Sequence, residues 1–366
     1  MMSPELLSMA VAIGEPVIGM DLAKGAFGGA RLGGAVFSGA RLSEADLRGA
    51  DLREAVFEQC DLRGALLAGA NLRRAVFDRC TLDHADLRGA NLHAAVWTDC
   101  QAPHAQLAGA QLSMAMLTRS RLDHAVLRGA DLDAAVIDGS SLIDVCADEA
   151  HWRQTTVIGC DLSLLTWTGA TLVRVAFIDT GLQNRSFAGL RVEGCQFLKA
   201  NLSGADFSGA DMRQCNFQEA VLDGACLAKA HAPLALFCET RGAQVDFSGA
   251  RLRQALFTGA KLPGANFAGA DLYQTHFAGA QLPRARLVSA ELTYADFRHA
   301  DLSGADLQDA SMFRTVLHGA NTQEARMSDR GRAIEQDPEL AAAERWQPME
   351  QKLSLIHISE PTRQEA

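Results

Sequence analysis

The 366-residue chain carries a formal net charge of −10, and it is 48% hydrophobic but only 6% aromatic, with a mean hydropathy of zero. No run of about 18 apolar residues occurs, which excludes a membrane-spanning helix on the pattern of the sequence. The start of the chain lacks the basic region and cleavage pattern of a signal peptide, so the expected compartment is the cytoplasm.

Residues 1–19 read as an N-terminal cap. Ser3-Pro4-Glu5 places a capping residue and a first-turn proline before the apolar stretch Leu6 to Val11, the usual opening of a helix. From residue 20 to about 325 a five-residue frame takes over. Positions ending in 2 or 7, from Leu22, Phe27 and Leu32 to Met312 and Leu317, are nearly all large and apolar, and positions ending in 0 or 5 are mostly Ala, Cys or Ser. Roughly sixty pentapeptides keep this rule, far more than a stacked array needs. A period of five fits neither a helix nor a plain strand, so the chain must turn once per repeat. If the large apolar residue is i, then i and i−2 point inward, and i−1, i+1 and i+2 face water.

A second period of twenty shows how the corners close. Phe37, Phe57, Phe77 and Trp97 recur at that interval, as do Phe177, Phe197, Phe217 and Phe237, whereas the other phases are mostly Leu. Four sides therefore make one coil, with like side chains stacked in ladders. At the i+2 corner, Gly29, Gly49, Gly69, Gly89 and Gly109 repeat every twenty residues, whereas another phase holds Glu54, Arg74 and Ala94. Since a type II turn needs positive φ and a type I turn does not, one edge of the coil is expected to hold type II turns.

Ala-Asp-Leu-Arg-Gly at 45–49, Ala-Asn-Leu-Arg-Arg at 70–74 and Ala-Asp-Phe-Ser-Gly at 205–209 resemble the repeat of the bacterial pentapeptide repeat family. The resemblance covers about residues 20–325. It implies an all-β solenoid, a right-handed quadrilateral β-helix of about fifteen four-sided coils with short helical caps. At about 4.8 Å per coil the rod is on the order of 70 Å long.

Several features depart from the frame. Between about 140 and 195 the inward i−2 positions hold Val145, Thr155, Leu165, Val175, Thr180, Arg185 and Leu190, too large for a corner that elsewhere accepts Ala. An unpaired inward Arg185 costs several kcal/mol, so either the backbone distorts or the guanidinium reaches solvent. Near 231–245, Ala232 and Gly242 replace the large residue and Pro233 enters a corner. Cys60, Cys80 and Cys100 form one i−2 ladder and Cys195 and Cys215 a shorter one, read as reduced thiols in place of Ala. His84, His104 and His124 recur at i+2 beside Asp83 and Asp123, a polar edge on which no metal is expected. After the frame, residues 326–352 read as a C-terminal cap with a helix starting at Asp337-Pro338-Glu339, and residues 353–366 as a non-native tail.

No nucleophile and base pair, phosphate-binding glycine loop or paired-carboxylate cleft is apparent, so the chain reads as non-enzymatic and without cofactor. The reading is a protein–protein interaction scaffold that binds a partner or itself through the outer faces of a rod. The expected interface lies on the Phe side, where Val36, Val56, Val76 and Val96 stand outward at i−1 and Ile158, Ile178 and Leu198 outward at i+1. Two alternatives come from the resemblance alone. One is a DNA-mimicking modulator of type II topoisomerase, and the other is an accessory or immunity-like protein of type VI secretion. Against the mimic, duplex DNA carries about forty charges over such a length, and the acidic residues here alternate with Arg, as in Asp46 with Arg48 and Asp86 with Arg88. Direct nucleic-acid binding is not expected.

Overall fold

A computed structural model describes residues 2–345. The expected tail at 353–366 and the end of the expected C-terminal cap lie outside those residues. The chain opens with helix α1 (Pro4–Ala12), where the Ser3 hydroxyl accepts the Leu6 N–H at 3.3 Å and Pro4 sits in the first turn. It then winds into a β-solenoid of about 16 turns.

One side is a nine-stranded parallel sheet built from β1 (Val17–Ile18), β2 (Val36–Ser38), β3 (Val56–Glu58), β4 (Val76–Asp78), β5 (Val96–Thr98), β6 (Met116–Thr118), β7 (Val136–Asp138), β9 (Thr156–Ile158) and β11 (Ala176–Ile178). A neighbouring side adds β8 (His151–Arg153) paired with β10 (Thr171–Val173), and the far end pairs β12 (Asp306–Leu307) with β13 (Arg326–Met327). Elsewhere single parallel bridges join residues twenty apart, such as Arg41 with Asp61 and Asp46 with Leu66. The register of twenty confirms the four-sided coil, and the inward positions i and i−2 are buried along nearly the whole length. Most inward phenylalanine rings stack on a counterpart one coil away, as Phe37 does on Phe57 at 4.9 Å and Phe57 on Phe77 at 4.8 Å. This narrow core, rather than a globular interior, supplies the apolar burial that holds the coils together.

The corners correct one expectation. Left-handed backbone is not confined to a glycine edge: Glu44, Glu54, Gln59, Arg74 and Arg79 all have φ between 51° and 59°, like the glycines at the same i+2 position elsewhere. A five-residue side leaves too little chain to turn the corner without one left-handed residue, and positive φ recurs on all four edges. What differs is the closing hydrogen bond. Most corners carry the bond of a tight turn, such as Ala45 N–H to the Leu42 carbonyl at 3.0 Å. On the Phe side from Phe37 to Thr180 that bond is missing and the strand runs on to three residues.

The end of the rod departs from twenty. After β13 the chain shortens its circuit, so Ile334 takes the bridge to Val316 and its carbonyl accepts the Leu317 N–H at 2.8 Å. Helix α2 (Pro338–Arg345) follows, with the Asp337 carboxylate accepting the N–H groups of Glu339 and Leu340 at 3.0 and 3.1 Å. Both ends of the described solenoid therefore carry short helices. The irregularity at 231–245 is absorbed without a break: the Val245 side chain occupies the space beside Gly242, where an added Cβ would come within 2.8 Å of it.

Candidate functional site

The Phe side carries the expected apolar residues in register. Val36, Val56, Val76, Val96, Met116 and Val136 pair in sequence along one outward track. Val36 and Met116 are exposed and the others half-buried. The other outward track runs Ser38, Glu58, Asp78, Thr98, Thr118, Asp138 and then turns apolar at Ile158 and Ile178. Leu198 continues it, its carbonyl accepting Asp179 N–H at 2.9 Å. All three are half-buried. The apolar stripe thus crosses from one track to the other between Val136 and Ile158.

Beside that crossing the coils part. Leu162 N–H still donates to the Gly181 carbonyl at 2.8 Å, and Arg174 N–H to Glu193 at 3.0 Å, yet between these points no backbone hydrogen bond joins the two coils. Two side chains bridge the opening instead. Trp167 Nε1 donates to the Ser186 carbonyl at 3.1 Å, and Arg185 Nη1 donates to the Leu165 carbonyl at 2.8 Å. The cause is volume. Trp167 replaces the usual Leu and packs on Phe187 at 5.0 Å, while Leu165 and Arg185 fill corners that Ala fills elsewhere. Of the two alternatives raised for Arg185, the backbone opens here, and the half-buried side chain places Nη1 on the Leu165 carbonyl across the opening. Its Nε finds no partner. The opening forms a surface cleft of about 300 Å³ lined by Thr166, Trp167, Thr168, Arg185, Ser186 and Leu190, among others.

The His84, His104 and His124 edge forms a stack of near-parallel rings, with centroids 4.7 and 4.9 Å apart. His84 and His124 are exposed and His104 is half-buried. His84 approaches Asp83 at 3.6 Å and His124 approaches Asp144 at 3.7 Å. Rings stacked face to face present their nitrogens side by side and do not converge on one cation.

Among the described residues, the group whose ligand atoms do converge is His299, His318 and Glu344. No pattern in the sequence pointed to it, because Glu344 reaches the last coil from α2. Glu344 bridges His299 Nε2 at 2.7 Å and His318 Nε2 at 3.2 Å, while Asp337 N–H donates to His318 Nδ1 at 3.1 Å. A neutral imidazole has one lone pair. With Nδ1 accepting from the backbone, His318 Nε2 carries a proton and donates to Glu344, and is no metal ligand in this state. The two histidines hold the Glu344 carboxyl below its usual range, His318 contributing most. The group therefore works as a latch between α2 and the last coil.

Part of the surface charge is cancelled locally, between neighbouring side chains. Arg48 grips Asp46 through Nε and Nη2 at 2.9 and 2.7 Å, and Arg53 with Asp51, Arg63 with Asp61 and Arg88 with Asp86 repeat the same grip. Each guanidinium holds its aspartate below the ordinary carboxylate range.

Comparison with known proteins places this geometry. A model described as a pentapeptide repeat region matches residues 50–127, 191–267 and 210–287, and one described as pentapeptide repeats in eight copies matches 26–59, 270–309 and 290–329. The matches stop at Leu127 and resume at Arg191, and the parted coils lie in the interval between. No curated protein sequence matches. Among solved structures, QnrB1, a plasmid-mediated fluoroquinolone resistance protein, is 20% identical over 49% of this chain and 89% of its own, with a TM-score of 0.43. HetL, a pentapeptide repeat protein involved in heterocyst differentiation regulation in the cyanobacterium Nostoc sp. strain PCC 7120, is 22% identical over 92% of this chain and 98% of its own, with a TM-score of 0.16. A pentapeptide repeat protein of the Arabidopsis thaliana thylakoid lumen is 22% identical over 39% of this chain and 65% of its own, with a TM-score of 0.13. With its frame, its four-sided coil and matches spread over most of its length, this chain belongs to the pentapeptide repeat family.

Proposed function

We propose that this protein is a non-enzymatic scaffold of the bacterial cytoplasm that binds a protein partner through the Phe side, centred on Ile158, Ile178 and Leu198. The observation that carries this reading is the continuity of the apolar stripe. Three branched aliphatic residues occupy successive coils at an outward track that holds Glu58, Asp78, Thr98, Thr118 and Asp138 before them. Such a patch on a soluble surface marks an interaction site, and aliphatic residues in a flat parallel sheet offer a rigid platform that loses little side-chain entropy on binding.

The gripped aspartates weigh against DNA mimicry. A mimic needs unpaired acidic groups at phosphate-like density, whereas Asp46, Asp51, Asp61 and Asp86 are each neutralised within their own coil. Changing Ile158, Ile178 and Leu198 together to Lys tests the scaffold. The variant should keep the circular dichroism spectrum of the wild type and lose the partner that the wild type retains in affinity capture. Retention of that partner by the folded variant rejects the Phe side as the interface.

A further inference from the structure

Helix α1 is apolar on two opposite faces. Leu7 is fully buried against the first coil and Val11 packs beside it, which accounts for one face. On the other, Leu6, Met9 and Ile13 are 58%, 66% and 78% exposed. At about 100° per residue these three fall within about 60° of the helix circumference, opposite Leu7. A helix that is apolar all round is normally covered all round. Among the described residues nothing covers this outer stripe.

Further exposed apolar residues follow the helix in the first coils. The chain runs through Gly14-Glu15-Pro16 into β1, where Ile18 is 66% exposed, and on to Met20 at 39%. In the next coil Val36, 42% exposed, sits beside Phe37, the pairing partner of Val17, and so lies diagonally across from Ile18. Six large aliphatic side chains thus lie bare at one end of the rod. Their exposed areas add to on the order of 600 Å², comparable with the largest patch on a typical monomer.

We infer that this end pairs with a second copy of the chain, head to head, through the outer stripe of α1. Three features select a second copy as the occupant. First, residues at i, i+3 and i+7 of a short helix form a ridge that packs on its own copy across a two-fold axis. Second, burying this patch on both copies removes on the order of 1,200 Å², which reaches the lower bound for a stable interface. Third, the molecule carries a net charge of −10, but residues 2–20 include only Glu5 and Glu15 as charged side chains. Two like-charged rods therefore meet with least repulsion at this end. Pairing is through side chains rather than by continuing the sheet, because Pro16 at the mouth of β1 has no N–H to offer a further strand. The inference does not rest on the Phe-side interface, whose centre at Ile158, Ile178 and Leu198 lies in other coils.

Sedimentation velocity and small-angle X-ray scattering on the full chain decide it. The wild type should sediment as a dimer at micromolar concentration with about twice the maximum dimension of the monomer. The Leu6→Glu, Met9→Glu, Ile13→Glu variant should be monomeric with an unchanged circular dichroism spectrum. The Lys variant of Ile158, Ile178 and Leu198 should remain dimeric, so the two surfaces are separated. Met9→Cys gives a readout that does not depend on a disruptive substitution: mild oxidation should link it into a covalent dimer, since the nine native cysteines are buried or half-buried. A wild type that stays monomeric at about 100 μM overturns the inference. So does a Glu variant that remains dimeric, a Met9→Cys protein that fails to cross-link, or a monomeric wild type that instead co-sediments with phosphatidylcholine vesicles.

Discussion

The Sγ of Cys80 lies 3.2 Å from the carbonyl oxygen of Phe57, one coil earlier. That carbonyl belongs to an open corner of the Phe side, where no N–H closes the turn. The same contact recurs between Cys60 and Phe37 at 3.4 Å and between Cys100 and Phe77 at 3.3 Å. Ser140 replaces the thiol with a hydroxyl on the Leu117 carbonyl at 3.0 Å. The cysteines are therefore not merely Ala substitutes. Cys80→Ser should change stability by less than about 0.5 kcal/mol, while Cys80→Ala, which removes the side-chain donor to the Phe57 carbonyl, should cost more, about 0.5–1 kcal/mol. Denaturant melts of the two variants check this; equal loss for both contradicts a donor role.

At the corners, Arg74 and Gly89 have nearly the same φ, 58° and 62°. An added Cβ at Gly89 meets nothing within 4 Å, so Gly89→Ala carries only the conformational cost, about 1 kcal/mol. Arg74→Ala should be near neutral, since both residues bear a Cβ. Arg74→Gly should stabilise by a few tenths of a kcal/mol, the relief of left-handed strain being partly offset by unfolded-chain entropy. Thermal melts that show Arg74→Gly less stable than Arg74→Ala contradict the assignment.

Where the coils part, the amides of Trp167, Gly169, Leu172, Ser186 and Arg191 lack the inter-coil acceptors their counterparts have elsewhere. Hydrogen exchange should be fastest there within the solenoid. Replacing Leu165 and Arg185 with Ala and Trp167 with Leu should let the ladder close and slow that exchange. Unchanged rates in the triple variant would show that side-chain volume does not hold the coils apart.

Asp296 gives the solenoid a pH response of definite sign. Burial pushes its carboxyl up, but Arg298, donating from Nε at 2.9 Å and Nη2 at 2.6 Å, and the Arg298 N–H outweigh it and leave the group below its ordinary value. A carboxyl lowered in the folded state contributes stability above its unfolded pKa of about 4, and that contribution is lost as pH falls through the lower folded value. Asp296→Asn should therefore be less stable than the wild type near neutrality, and the gap should narrow below about pH 4. A gap that widens on acidification contradicts the pairing.

The inward frame was legible because a large residue at i and a small one at i−2 can face only one way, and Phe57 and Ala55 are buried as their spacing requires. The corner conformation was not, since Glu54 and Arg74 bear no chemical mark of positive φ; geometry imposes it on whatever residue the frame delivers. The disturbance near Arg185 was visible as excess volume, but which bonds are lost depends on how Trp167 turns toward Ser186. The His299, His318 and Glu344 latch was invisible, because it joins the last coil to a helix that lies outside the repeat.

The partner-binding role of the Phe side is tested most directly by placing a photo-crosslinking amino acid at position 178 and, separately, at Ser208 on the opposite side, in cells that make the protein. A discrete heteromeric adduct is expected from position 178 and none from 208. No adduct at 178, or equal adducts from both positions, would contradict it.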